Sequence, residues 1–175
     1  MDQSVIENIE LETREQSKSG VWVEERKTRL TASNFGKVLT RKAKPTDSFL
    51  TDVFNRKMIF AAPLDYGNRN EKFGKAKYLE KFPSHHLHQC GFVINKEFSF
   101  LGASPDGKVC IDGECGILEV KCPYSARNLT ISEACKDVTR FCLEMEGNVI
   151  NLKKTHTYYA QIQGQLMITG CKFCE

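Results

Sequence analysis

The sequence predicts an α/β (α+β) layered domain, on three observations. Apolar residues recur at helical spacing through the first half, the pattern changes to period two from about residue 86, and helical character returns over residues 155–169. Helices, then strands, then a helix build a sheet with helices laid on it. The 175 residues are the length of one domain, or of one domain with an appendage. With 41% hydrophobic and 27% charged residues, disordered and collagen-like classes are excluded.

Residues 1–20 read as a loosely helical polar leader, followed by a segment from Trp22 to Leu30. At Thr31-Ala-Ser-Asn-Phe-Gly a helix starts, with Thr31 or Ser33 as its cap. Arg41-Lys-Ala-Lys-Pro45 is a basic loop. Residues 47–60 have helical spacing through Phe49, Leu50, Val53, Phe54, the Lys57 stem and Ile59 or Phe60; Pro63 then interrupts. Residues 67–82 form an amphipathic helix with Phe73, Ala76, Leu79 and Phe82 on its apolar stripe. Strands follow at 87–94, 98–102, 107–111 and 116–121. A short helix over 131–138, a strand–turn–strand over 141–152 around Gly147-Asn148, and the helix over 155–169 complete the order.

No run of about 18 apolar residues exists, so no transmembrane helix is expected. The acidic N-terminus lacks the layout of a signal peptide. The expected location is therefore intracellular, in cytoplasm or nucleus. Net charge is +3, unevenly spread: residues 1–20 carry −3 and residues 21–60 carry +5. The basic block suits either phosphate or a solvated helix surface. The eight cysteines read as free thiols acting as small hydrophobes. Zinc at Cys171/Cys174, or at His86, His88 and Cys90, is a minor alternative.

Chemistry concentrates between Ser104 and Lys121. Asp112-Gly113 between two strand-like runs signals a two-residue hairpin. In that register Ile111 faces Glu114 and Asp106 faces Glu119, with Lys121 on the same face. Two opposed carboxylates repel, and a hard divalent cation between them relieves the repulsion. A neighbouring lysine can orient or help deprotonate a water. A surface hairpin with a Glu119–Lys121 charge pair is the competing reading.

Asp106 with Glu119-Val-Lys121 resembles the PD-(D/E)xK nuclease signature. More closely, the chain resembles the lambda-exonuclease-like, YqaJ-type viral recombinase family. The matching motifs are Trp22-Val-Glu-Glu-Arg26 with Leu30-Thr-Ala-Ser33, Gly67-Asn-Arg-Asn-Glu71, Ser104-Pro-Asp-Gly107, Leu118-Glu-Val-Lys-Cys-Pro123 and Tyr159-Ala-Gln-Ile-Gln163. The resemblance implies a restriction-endonuclease-like core, a central mixed β-sheet flanked by α-helices. It implies Mg²⁺-dependent hydrolysis of DNA phosphodiesters at duplex ends, commonly 5′→3′, in recombination or end processing, with Mn²⁺ as a substitute metal. Asp106, Glu119, the Val120 carbonyl and Glu71 would serve the metal, and Lys121 the attacking water. Gln163 would reach the site from the late helix, and Arg26 and Ser33 would hold a 5′-phosphate. Without the family, Glu71 reads as an ion pair with Lys75. Implied partners are DNA ends, a homo-oligomer and a single-strand annealing protein. Alternatives are a non-catalytic DNA-end-binding module and a restriction-like endonuclease. Family members usually continue past the Gln-bearing helix into another strand and helix. Here the sequence ends at Cys171-Lys-Phe-Cys-Glu175, which is expected to leave a sheet edge bare.

Overall fold

The Asp112-Gly113 dipeptide makes the turn its sequence demands: both residues adopt positive φ, 48° and 83°, as a primed hairpin turn requires. It joins β5 (Gly107–Ile111) to β6 (Glu114–Leu118), paired from Ile111↔Glu114 to Gly107↔Leu118. The computed structural model describes residues 1–55 and 61–175.

Two three-stranded sheets carry the core. β2 (His86–His88) lies antiparallel to β5, giving the order β2-β5-β6. In the second, β4 (Leu101–Ala103) is flanked by β1 (Leu30–Thr31) in parallel and β3 (Val93–Ile94) antiparallel. The mixed pairing agrees with the expected mixed sheet. A third pair, β7 (Leu143–Glu146) and β8 (Val149–Leu152), turns at Gly147-Asn148 as predicted.

Seven α-helices are described: α1 (Gln3–Glu12), α2 (Gly20–Lys27), α3 (Phe35–Leu39), α4 (Asp47–Phe54), α5 (Ala62–Lys81), α6 (Ile131–Asp137) and α7 (Thr157–Thr169). Side-chain oxygens of Asp2, Ser19, Thr46 and Thr130 cap α1, α2, α4 and α6, meeting amides left open at helix starts. Ala32, Leu101, Ala103 and Ile168 form one core cluster; Ile6, Phe92 and Ile94 form another.

Several expectations are corrected. Residues 1–20 are not a loose leader. Ile6 is buried against Phe92; Glu10 accepts the Gly91 amide at 2.9 Å and Thr13 the Phe92 amide at 2.6 Å. Gln16 donates to the Cys90 and Pro105 carbonyls. These contacts also split the strand expected over 87–94, because its middle backbone groups bond to side chains rather than to a strand. Pro63 starts α5 instead of interrupting, since its missing N–H falls in the first turn. Most of the apolar stripe expected on α5 faces outward: Phe73, Ala76 and Leu79 are exposed, while its last member, Phe82, is half-buried with Gly74 and Tyr78 on the packed side. Thr31 stands at the N-cap of a 3-10 turn over Ala32–Asn34, as expected, but neither its hydroxyl nor that of Ser33 caps an amide; the two bond each other at 3.0 Å. The sheet edge at β6 is not bare. Ile117 pairs with Cys174, the Ile117 amide donates to the Phe173 carbonyl, and the Glu119 amide donates to the Glu175 carbonyl. Lys57, Ile59 and Phe60, expected to extend α4, lie outside the described residues.

Candidate active site

Asp106 stands one residue before β5 and Glu119 one residue after β6, the next step of the hairpin register. There the ladder gives way. The Asp106 carboxylate accepts the Val120 amide at 2.6 Å. Glu119-Val120-Lys121, expected to finish a strand, leaves the sheet for this reason.

The Glu119 side chain is only 3% exposed, so its charge needs partners. It has three. Lys121 forms an ion pair with Oε1, Gln161 donates to Oε1 at 2.5 Å, and Gln165 donates to Oε2 at 2.7 Å. Both glutamines come from α7, one turn apart on one face. Gln163, the residue expected to reach the site, is exposed on another face of α7 and makes no such bond. It still lines the groove beside Glu119 and Lys121. The sequence held a signal for the pair that meets Glu119: Gln161, Gln165 and Ile168 share one helical stripe, and Ile168 is a core residue.

Burial, then the charges of Glu119 and Glu71, push the Asp106 carboxyl up to about 7. Burial works against the Lys121 ammonium, but Glu119 and Asp106 outweigh it and hold its pKa above the ordinary value. Lys121 also lies 5.0 Å from the Tyr158 ring centre. Gly74 of α5 faces Val120, where an added Cβ would stand 2.6 Å from a valine methyl. This close approach brings Glu71, one turn earlier, close enough to act on Asp106. Glu71 also pairs with Lys75 at 2.5 Å, as the competing reading held.

Two hollows flank the site. A groove of about 1290 Å³ is lined by Glu119, Lys121, Tyr158, Tyr159 and Gln163. A smaller hollow of about 210 Å³ is lined by Asp106, Glu71, Lys75 and Gln16. Among the described residues no three His, Cys, Asp or Glu side chains gather closely enough to hold a metal on their own.

Arg26 and Ser33, 7 residues apart, meet at 3.5 Å between Nη2 and Oγ. The Arg26 guanidinium lies 4.3 Å from the Trp22 ring centre, and burial lowers its pKa to about 10. It forms no salt bridge among the described residues. Trp22 donates through Nε1 to Ser104 Oγ at 2.8 Å, two residues from Asp106. The i, i+4 spacing of Trp22 and Arg26 was the legible hint of this stacking.

Residues 21–172 match the family of the YqaJ-like viral recombinase domain. A curated relative, the alkaline nuclease of Orgyia pseudotsugata multicapsid polyhedrosis virus, is 27% identical over 176 residues. The match covers 91% of this chain and 40% of that protein, so the chain spans less than half the relative's length. Among solved structures, LHK-Exo in complex with dAMP superposes with a TM-score of 0.63 at 24% identity, covering 87% of this chain and 70% of that one. The alkaline exonuclease LHK-Exo from Laribacter hongkongensis superposes with a TM-score of 0.61 at 22% identity, with the same coverage. These structural likenesses carry the fold, of restriction-endonuclease-like type. With the family match spanning most of its length, the chain belongs to the family of the YqaJ-like viral recombinase domain.

Proposed function

We propose that the chain is a metal-dependent DNA exonuclease, hydrolysing phosphodiester bonds at duplex ends with 5′→3′ polarity. The observation that carries this reading is the convergence of Asp106, Glu119 and Lys121 at the base of one hairpin. Membership of the family supports it, as does the curated relative's being a nuclease.

The donor set fits a hard cation. Mg²⁺ typically takes one or two carboxylates and completes its shell with water and phosphate oxygens. Asp106 and Glu119 supply two, and a cation would offset both the burial that chiefly raises Asp106 and the Glu119 and Glu71 charges that add to it. Held by Asp106, Glu119 and the Val120 carbonyl, Mg²⁺ or Mn²⁺ would supply charge neutralisation at the phosphate and acidify a bound water. Lys121 keeps its proton, so it orients the water and balances phosphate charge rather than acting as a base. Glu71 supports the water from α5. Arg26 and Ser33 bind the 5′-phosphate, the guanidinium by charged donation and the hydroxyl by one neutral hydrogen bond. Trp22 sets the Arg26 plane.

The test is digestion of labelled linear duplex with Mg²⁺, on 5′-phosphorylated and 5′-hydroxyl ends. Wild type should release mononucleotides, and Asp106→Ala and Glu119→Ala should release none. Arg26→Ala should lose most on phosphorylated ends. Cleavage of closed circular DNA at a similar rate would make the chain an endonuclease. DNA-end binding with no turnover would make it a non-catalytic module.

A further inference from the structure

The same hairpin carries two cysteines directly opposite each other. Ile111 and Glu114 close the turn, and Cys110 and Cys115 are the next pair. The pair flanking a two-residue turn exchanges backbone hydrogen bonds, so the next is of the non-hydrogen-bonded kind. Such pairs stand about 4.5 Å apart at Cα, within the roughly 4.4–6.8 Å a disulfide spans. The two sulfurs lie 2.8 Å apart as free thiols. A disulfide is ~2.05 Å long, so closure needs a movement of less than about 1 Å. Both cysteines are partly exposed, whereas Cys90 and Cys142 are buried. Neither lines the groove at Glu119.

We propose that Cys110 and Cys115 form a reversible dithiol–disulfide site oxidised by hydroperoxides. The thiolate of one cysteine attacks a peroxide oxygen. The O–O bond breaks, leaving a sulfenic acid, and the displaced hydroxide takes up the proton the thiol released. The second sulfur then attacks the sulfenic sulfur. The S–S bond forms, the S–O bond breaks, and the departing hydroxide leaves as water with the second thiol's proton. With hydrogen peroxide, two thiols become one disulfide and the peroxide becomes two waters. The strands already stand at disulfide separation, so oxidation staples the hairpin without shifting the residues at its base. Reduction by a dithiol reverses it.

Peptide mapping of the full chain decides the question. Trypsin releases Val109–Lys121, which contains both cysteines and no other. After hydrogen peroxide and alkylation, this peptide should appear unalkylated and lighter by two hydrogens than its reduced form. Dithiothreitol should restore two alkylation sites. The oxidised protein should also melt at a higher temperature than the reduced one, and Cys115→Ser should abolish that difference. The proposal falls if Val109–Lys121 is recovered doubly alkylated. It falls equally if the peptide carries sulfinic or sulfonic acid, or if peroxide instead joins the peptides holding Cys171 and Cys174. Wild-type mapping needs no variant to fold.

Discussion

Asp106 is a carboxylate in a place that favours its neutral form. Burial raises its pKa to about 7, and Glu119 and Glu71 add to the shift; the Val120 amide and Lys121 pull the other way without prevailing. The unfolded chain would release that proton near the ordinary value of 3.8. Between these values the folded state binds more protons than the unfolded one, so this residue makes stability fall as pH rises from about 4 to 7. Metal-free protein in chelator should therefore lose melting temperature across that window. Asp106→Asn keeps an acceptor for the Val120 amide and carries no charge, so its loss should be smaller. Parallel melting profiles for the two proteins would remove Asp106 as the source. Added Mg²⁺ should restore the wild type most at the alkaline end, where the carboxylate is free to bind it.

α7 acts as one element: Gln161 and Gln165 are fixed together by the helix, and Ile168 anchors it in the core. Gln165 is 1% exposed and its Oε1 has no hydrogen-bond partner among the described residues. A buried amide with one unmet acceptor is stabilised here chiefly by what its other end does, which is to bond Glu119. Hydrogen bonds to charged groups contribute about 1.5–3 kcal/mol, or roughly a ten- to hundredfold rate change if Glu119's orientation limits the chemistry. Gln165→Leu should lower the cleavage rate on linear duplex by that factor, and Gln163→Ala should lower it less. The reverse order would return the role to Gln163. This contrast shows what the sequence could reveal. Asp106 and Glu119 were legible because a two-residue turn fixes the register up to Gly107↔Leu118, one step before them; Lys121 lies beyond the ladder and was legible only from its motif. Gln161 and Gln165 were not, because helical spacing gives a face but not which neighbour that face meets. The same limit misdirected α5, whose packed side is set by the approach of Gly74 to Val120 rather than by its apolar residues.

Across the whole molecule, the match to the family begins at residue 21, yet the structure begins its core earlier. α1 brings Ile6 against Phe92, and Glu10 and Thr13 take the amides of Gly91 and Phe92. Gln16 bonds the Pro105 carbonyl, immediately before Asp106, at 2.8 Å. Composition could not show this, because a polar segment with few apolar residues reads as exposed; its bonds go to backbone groups 70 or more residues away. Removing residues 1–19 would uncover Phe92 and leave the Phe92 amide without its acceptor. A hydrogen bond given up to water costs about 0.5–1.5 kcal/mol net, and a lost large apolar contact adds about 1.5–3 kcal/mol. Against a total of only ~5–15 kcal/mol for a domain, the truncated chain should unfold at a much lower temperature or without a cooperative transition. Thr13→Ala isolates the hydrogen bond and should lower stability by about 1–3 kcal/mol in a denaturant titration. If the chain from residue 20 onward melts like the full one, α1 is an appendage after all and the fold starts where the family match does.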